Sequence, residues 1–540
     1  MGQSGRGFAI AVALLLASAG IAQATPHRIL TAQLPTAVAQ HMAQRAGALD
    51  AGQQLHLAIA LPMRNLADLK SLVANIYNPK SPLYRHYLTV AEFTGRFGPA
   101  QFDYAKAVNF FTGAGLRVTG EAANRYVIDV TGSVRDVERV FHVKMISYRH
   151  PTEPRTFFAP DREPTIDLDV PILDVDGLDN FTLPAPRLIQ SAQNTPRSGT
   201  GSGPNGYFIG SDIRAAYYGR SSWTGSGQVL GLMELEGYNL SDVQMYFAKF
   251  HQPLTTDVEA ISTDGSPTDC EKHCDDGEQA LDIEYAISMA PGLKRVQVYV
   301  ANGALSVLNR MAGDNTSAQL STSWGWNEHF SSNDPLFLEM AAQGQTFLTA
   351  SGDNSSLRAS GPWPEEDANL TAVGGTDLHT NGAGGPWRSE TGWSDSAGGP
   401  SLDKSILIPD YQAPFINHAN GGSHSLRNVP DIAGDANFNN YICANGKCNG
   451  GWGGTSFASP IWAGFIALAN EHATRTGMPR IGFLNPTLYA LASGANYAKF
   501  LHDQTSGKSG KFSAVPGYDL VTGLGSPAGE DLIRALARGK

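Results

Sequence analysis

Along residues 53 to 149 the apolar positions switch between the spacing of a strand and that of a helix. Leu55 to Leu61 reads as a strand. Asn65 to Tyr77 reads as a helix with Leu66, Leu69, Leu72, Val73 and Ile76 on one side. Pro99 to Thr112 gives a second helical run, and Leu116 to Val118 and Tyr126 to Val130 are strands around a polar turn. Val134 to Phe141 is helical, and Val143 to Tyr148 is the last strand. This order approximates a ferredoxin-like α+β domain, a split β-α-β-β-α-β arrangement with one extra helical segment. Thr152 to Asp179 is rich in Pro and Asp and is predicted to be extended.

From residue 206 onward the rhythm changes. Val229 to Met233, Arg295 to Val300, Leu320 to Ser323 and Thr346 to Ala350 are short apolar strands. Helical stretches separate them: Leu240 to Phe250, Glu278 to Ala290, Leu305 to Ala312 and Pro335 to Ala342. Such alternation predicts an α/β domain with a parallel sheet flanked by helices and a ligand site at the carboxyl ends of the strands. Phe457 to Ala469 reads as a further buried helix. Between the two regions, Leu183 to Asn205 carries four Pro and three Gly amid Ser, Gln and Thr. That composition suits an interdomain linker that is readily cut.

The chain has 540 residues, with 42% hydrophobic and 16% charged, which fits a globular protein of two or more domains. Fifty acidic residues against 39 basic ones give a net charge of -11, and no basic stripe offers a nucleic acid a footprint. At the N-terminus, Arg6, the apolar run Phe8 to Leu16 and the Ala22-Gln23-Ala24 cleavage pattern predict a removed secretory leader over residues 1–24. The apolar run is too short for a membrane span, so export without an anchor is expected. In an oxidising compartment Cys270–Cys274 and Cys443–Cys448 are the simplest of three possible pairings. Zinc held by Cys270, His273 and Cys274 is the weaker alternative, because no second half of a site follows.

The chemistry gathers around Gly453-Gly454-Thr455-Ser456-Phe457-Ala458-Ser459-Pro460. Small residues before the serine permit a tight turn and close approach of a substrate backbone. A helix starting there aims free N–H groups and its positive dipole end at the hydroxyl, which suits a nucleophile whose reaction develops negative charge. Most Ser or Thr residues before a helix are only caps. No histidine of the large region lies in a His-Gly-Thr-His context, and no Asp-Ser/Thr-Gly strand end accompanies the serine. Carboxylates are available instead. Glu278 and Asp282 are spaced i, i+4 on one helix face with no Lys or Arg on that turn. Two such charges repel unless they share a proton, which raises one pKa. Asp353 follows the strand Thr346 to Ala350, where a protonated acid could donate to an oxyanion.

With those residues in view, the chain resembles a serine-carboxyl peptidase of the sedolisin family, nearest in pattern to its kumamolisin type, from about residue 50 to the C-terminus. Ser81-Pro82-Leu83-Tyr84-Arg85-His86-Tyr87-Leu88 and Glu92-Phe93 resemble the family's activation domain. The resemblance implies a subtilisin-like sheet over 206–540, a propeptide over 25–182 and a processing site within 183–205. It implies Ser456 as nucleophile, Glu278 as general base, Asp282 as the carboxylate that orients it, and Asp353 as oxyanion donor. Glu234 and Trp324 match groups that extend the network. One calcium ion is implied, held by Asp503 and Asp519 and by the carbonyls of Gln504, Val515 and Gly517. Ser396-Ala397-Gly398-Gly399-Pro400 departs from the family's Gly-rich run and is expected to border the cleft. The expected protein is a secreted zymogen and acid-acting endopeptidase. It would act on protein or peptide substrates as a monomer, inhibited by its own propeptide, with no nucleic acid or membrane partner. Two other readings are a Ser-His-Asp protease of the subtilisin type and an inactive secreted binding protein on the same scaffold.

Overall fold

A computed structural model describes residue 1 and residues 28–191, 199–219, 222–270, 274–325, 331–357 and 363–539. The expected leader, apart from Met1, and residues 192–198 of the linker lie outside the described residues, as does His273 of the zinc alternative. Among the described residues no helix is long and apolar enough to cross a membrane.

The large domain is built on an eight-stranded sheet. Its strands are β1 (Val229–Glu234), β2 (Asp257–Ser262), β3 (Arg295–Val300), β4 (Gln319–Thr322), β5 (Thr346–Ala350), β6 (Thr371–Thr380), β7 (Trp387–Gly392) and β8 (Ile432–Asp435). The order is β2-β3-β1-β4-β5-β6, all parallel, and β6 also takes β8 in parallel and β7 antiparallel. The four strands read from the sequence lie side by side at its centre. Of the missed strands, Asp257–Ser262 lies at the edge with no fully buried residue, whereas β6 and β8 are almost wholly buried.

Helices cover both faces: α1 (Leu240–Lys249), α2 (Gly277–Met289), α3 (Ala304–Asp314), α4 (Asp334–Gln343) and α5 (Thr455–Arg475). On one face α2 and α5 pack directly against each other, and every residue of α2 is buried. α5 is apolar or small on nearly all sides and belongs in a core, whereas α2 carries Glu278, Gln279, Asp282 and Glu284 into it. Gly464 makes the close crossing possible, since a Cβ there would lie 2.7 Å from Met289 Cβ and 2.8 Å from Ala286 O. On the other face α3 and α4 form the layer on which the N-terminal domain docks.

In that domain Arg117–Glu121, Val127–Ser133, Gln54–Ala60 and Asp174–Asp176 form a four-stranded antiparallel sheet in that order. This is the ferredoxin-like order, with one correction. The last strand read from the sequence, observed as Met145–Arg149, is not in the sheet; it pairs with Gln44–Ala48 and Thr156–Pro160 in a separate three-stranded sheet. Apolar alternation identifies a strand but not its partner. The vacant edge is filled by Asp174–Asp176 from the stretch read only as extended. The additional helix Val90–Arg96 has a sequence signal in Thr89 and Glu92, which cap it reciprocally.

Domain docking is apolar at the centre and polar at the rim. Tyr77, Phe93, Phe97 and Tyr126 join Leu336, Phe337 and Ala341 in one buried cluster. Tyr77 Oη donates to Ala341 O at 2.8 Å, and Tyr126 Oη to Ser332 O at 2.7 Å. The Arg85 guanidinium reaches Ala537 O at 2.9 Å and Leu536 O at 2.7 Å, satisfying carbonyls at the end of the C-terminal helix. The motif 81–88 thus grips the large domain directly.

Candidate active site

The site forms where three strands and two helix N-termini converge. Glu234 is the last residue of β1, Ser323 follows β4, and Asp353 stands three residues after β5. Ser456 is the second residue of α5, and Glu278 is in the first turn of α2. The cap of α5 is Gly454, with φ 133 and ψ 154, so neither Thr455 nor Ser456 serves as one. The positive ends of both helices therefore face the site. Pro460 lies inside α5 and lacks the N–H that would bond Ser456 O; Ser323 Oγ approaches that carbonyl at 3.3 Å.

Ser456, Glu234 and Asp282 are fully buried, and Glu278 nearly so at 2%. Trp324 Nε1 donates to Glu234 Oε2 at 2.8 Å, and Ser323 Oγ donates to Asp282 Oδ1 at 2.7 Å. The carboxyls of Glu234 and Asp282 face each other in hydrogen-bond contact, and Glu234 Oε1 and Asp282 Oδ2 find no donor. One shared proton would satisfy that pair. Burial raises the Asp282 pKa to about 8, with Ser323 and Glu234 pulling the other way. Burial, then the charge of Asp282, pushes Glu278 and Glu234 well above the usual carboxylate range. The Ser456 hydroxyl is near enough to lower the Glu278 pKa, yet no bond of full hydrogen-bond geometry has formed. Both Glu278 oxygens and Ser456 Oγ are buried without other partners. Catalytic bonds commonly tighten only when substrate arrives.

Asp353 meets the residue before the serine. Its Oδ1 accepts from Thr455 N and Thr455 Oγ1, both at 2.8 Å, while Oδ2 is buried without a partner. Burial raises its pKa to about 6, against the pull of Thr455 and Arg187. Among the described residues no hydrogen bond joins a histidine to Ser456, and no histidine is among the charges acting on these acids. The four expected catalytic residues and the two supporting ones thus form one cluster. Ser323 and Thr455, which fix Asp282 and Asp353, escaped the sequence reading because a hydroxyl beside a motif carries no distinctive signal.

The linker crosses this cluster. Ala185–Pro186 pairs antiparallel with Trp324–Gly325, and Ile189–Gln190 pairs antiparallel with Lys447–Gly453. The 396–400 segment borders the Asp353 loop, Ala397 N donating to Gly352 O at 2.7 Å. A separate cavity of about 760 Å³ between the two domains, lined by residues such as His56 and Asp264, is not lined by Glu234, Glu278, Asp282 or Asp353. Both expected disulfides, Cys270–Cys274 and Cys443–Cys448, are formed.

Asp503 and Asp519 converge on one loop. Gly517 N donates to Asp503 Oδ2 at 2.9 Å, and Val515 N to Asp519 Oδ2 at 3.1 Å. Burial raises both pKa values, Asp519 to about 7, and among the described residues no ion pair joins either to a basic side chain. Asp519 Oδ1 also accepts from Val521 N and Thr522 N, both at 2.8 Å, so main-chain donors already hold it; the two carboxylates, without a basic partner, are hard oxygen donors of the kind calcium takes. Gln504 Nε2 donates to Glu390 and Ser526, while its Oε1 is buried without a partner.

A parallel α/β sheet with a serine and buried acids at its carboxyl edge, covered by an N-terminal domain, is the arrangement of a serine-carboxyl peptidase made as a proenzyme. Comparison with known proteins agrees. Residues 41–181 match the family described as pro-kumamolisin, activation domain. The chain is 29% identical to kumamolisin of Bacillus sp. (strain MN-32) over 493 residues, covering 84% of this chain and 87% of that one. It is 27% identical to sedolisin of Pseudomonas sp. (strain 101) over 531 residues, covering 88% and 86%. The solved structure of Pseudomonas sedolisin, a serine-carboxyl proteinase complexed with pseudo-iodotyrostatin, aligns with TM-score 0.53 and 26% identity, covering 60% of this chain and 96% of that one. These likenesses support a sedolisin-family proenzyme, and the chain is a serine-type peptidase produced as a zymogen.

Proposed function

We propose that this zymogen is a secreted, acid-acting endopeptidase in which Ser456 attacks the scissile carbonyl and Glu278 takes its proton. The observation that carries this reading is the burial of Ser456 Oγ beside a Glu278 carboxyl whose two oxygens have no other partner. Asp282 shares a proton with Glu234 behind Glu278, and Trp324 extends the network. Asp353 Oδ2 donates to the oxyanion. Glu278 returns its proton to the leaving amine, and water then releases the acyl group with Glu278 acting again. Endopeptidase action is favoured because the linker occupies extended positions on both sides of Ser456.

The pH dependence has a worked sign. Asp353 donates only while protonated, so its donor is present below about pH 6 and lost above it. Arg187, Asp395, Glu365 and Glu278 are the ionisable groups facing it, and Thr455 its hydrogen-bond donor. On the acid side, activity requires the coupled cluster of Glu278, Asp282 and Glu234 to have lost a proton. Activity should therefore fade toward neutrality as the Asp353 donor is lost above about pH 6. Asp503 and Asp519, with the carbonyls of Gln504, Val515 and Gly517, would hold one calcium ion. When bound, that ion would neutralise the two carboxylates and pin the 515–519 loop. The test is hydrolysis of internally quenched peptides across pH, with an aldehyde inhibitor as probe of the serine. A mild-alkaline optimum, or no covalent adduct with the aldehyde in acid, would overturn the reading.

A further inference from the structure

The linker lies in the cleft with a defined register. Ala185 pairs with Gly325 and Pro186 with Trp324; Arg187 N donates to Ser323 O at 2.9 Å. Beyond the gap, Ile189 pairs with Gly453 and Gln190 with Trp452, and Ser191 N donates to Gly451 O at 2.8 Å. Two separate edges hold the chain extended, and only Arg187 and Leu188 span the space between them. A Cβ on Gly454 would collide with the Arg187 carbonyl and would lie 2.8 Å from Asp353 Oδ2. That carbonyl and the acid with a free oxygen therefore meet at one point, two residues from Ser456. On the far side a Cβ on Gly277, which opens α2, would meet Leu188 at 3.2 Å.

The arginine side chain is received by a built pocket. It runs past Gly325 and Gly352: a Cβ on Gly325 would strike the guanidinium, and one on Gly352 would lie 3.1 Å from Nη1. At the end, Nη2 donates to Glu365 Oε1 at 3.0 Å. Glu365 is fully buried, and Arg187 is 13% exposed. Arg187 Nε and Glu365 Oε2 are also buried without other partners, so the pair has capacity for a second bond. Burial raises the Glu365 pKa to about 7 against the pull of Arg187; in either protonation state the carboxyl offers the guanidinium an acceptor oxygen.

We propose that Arg187–Leu188 is the first bond this peptidase cuts, in its own chain, and that Glu365 makes the adjoining pocket selective for arginine on the acyl side of the scissile bond. The inference rests on Ser456 being the nucleophile, as proposed above. Ser456 Oγ bonds to the Arg187 carbonyl carbon and its proton passes to Glu278. The bond to the Leu188 nitrogen breaks, and the leaving amine takes that proton. Water then hydrolyses the ester, which frees the Arg187 carboxyl and restores the hydroxyl. Cleavage removes the covalent tie between the domains at the point where the cleft is blocked.

The test follows purified proenzyme brought into acid, with intact masses of both fragments recorded at the earliest times. The smaller fragment should end at Arg187 and the larger begin at Leu188. An earlier cut elsewhere overturns the inference while leaving the Ser456 reading intact. No cut in the proenzyme and no turnover of any added peptide overturns both. Peptides differing only in Arg or Leu before the scissile bond then read the pocket: Glu365→Gln should lower the Arg-to-Leu ratio of kcat/KM by roughly 30-fold, with Glu365→Asp recovering part of it. An unchanged ratio in folded E365Q overturns the role of Glu365. Should E365Q not fold, Arg187→Leu carries the test: processing at the wild-type rate and bond overturns the selectivity, and slowing of 10-fold or more supports it.

Discussion

Two buried glutamates in the large domain have opposite surroundings. Glu390 accepts from Thr376 Oγ1 at 2.7 Å, Trp387 Nε1 at 2.9 Å and Gln504 Nε2 at 3.0 Å, and from the hydroxyls of Tyr217 and Ser526. Glu278 is equally dry, yet only the Ser456 hydroxyl approaches it. Burial raises both pKa values; donors pull Glu390 back from four sides, whereas acids add to the rise at Glu278. A buried carboxylate with every lone pair occupied is a structural joint, costly to disturb and chemically inert. One left with vacant acceptors beside a hydroxyl is poised to take a proton.

Substitution at the two sites should separate the roles. The largest effect is expected for Ser456→Ala and Glu278→Gln, each lowering kcat by on the order of 10^4-fold or more and leaving the proenzyme uncut. Mass spectrometry of the acidified proenzyme checks both. Retained self-cleavage would show that another group attacks. Glu390→Gln should instead lower stability by about 1–3 kcal/mol, seen in thermal melts, with kcat per folded molecule unchanged. A catalytic loss at Glu390 as deep as at Glu278 would erase the distinction.

Asp353→Ala should cost about 10^2- to 10^3-fold in kcat, the usual loss of an oxyanion donor. Asp353→Asn sharpens the point, because an amide donates at any pH. The fall in activity near pH 6 should then move toward neutrality in a pH–rate profile. An unmoved limb would assign that titration to another group. Trp324→Phe removes the donor to Glu234 and should lower kcat by about 10-fold, with the acid limb displaced to higher pH. The smallest effect is expected from calcium removal. An ion at 100 times its Kd contributes about 2.7 kcal/mol, so chelation should lower the melting temperature while the pH profile keeps its shape. A melt indifferent to chelator and to added calcium would leave Asp503 and Asp519 as loop fasteners only.

Much of this arrangement was legible because the residues involved are constrained locally. The i, i+4 spacing of Glu278 and Asp282 puts both on one helix face wherever that helix sits, and the absence of a basic residue on the turn already marked them as unusual. The motif 81–88 was legible for a similar reason, since Arg85 and Tyr87 serve an interface through their own chemistry. The fourth strand of the N-terminal sheet was not legible: Asp174–Asp176 is short and acidic, and its place depends on a vacant edge 114 positions or more away along the chain. Glu365 and Arg187 were missed because nothing in a charged residue states which distant charge it will meet.

The amino-acid order alone thus determined the four central strands and the helices around them, which side chains can carry protons, and that a serine without an imidazole must rely on acids. Hydrophobic periodicity and side-chain chemistry are properties of short stretches, readable without the rest of the chain. Only the tertiary structure decided that Glu234, Glu278, Asp282, Asp353 and Ser456 share one dry site, and that residues 185–190 lie across it. Desolvation and strand pairing depend on what the whole chain brings together, so neither the raised pKa values nor the register of the linker exists before the fold does.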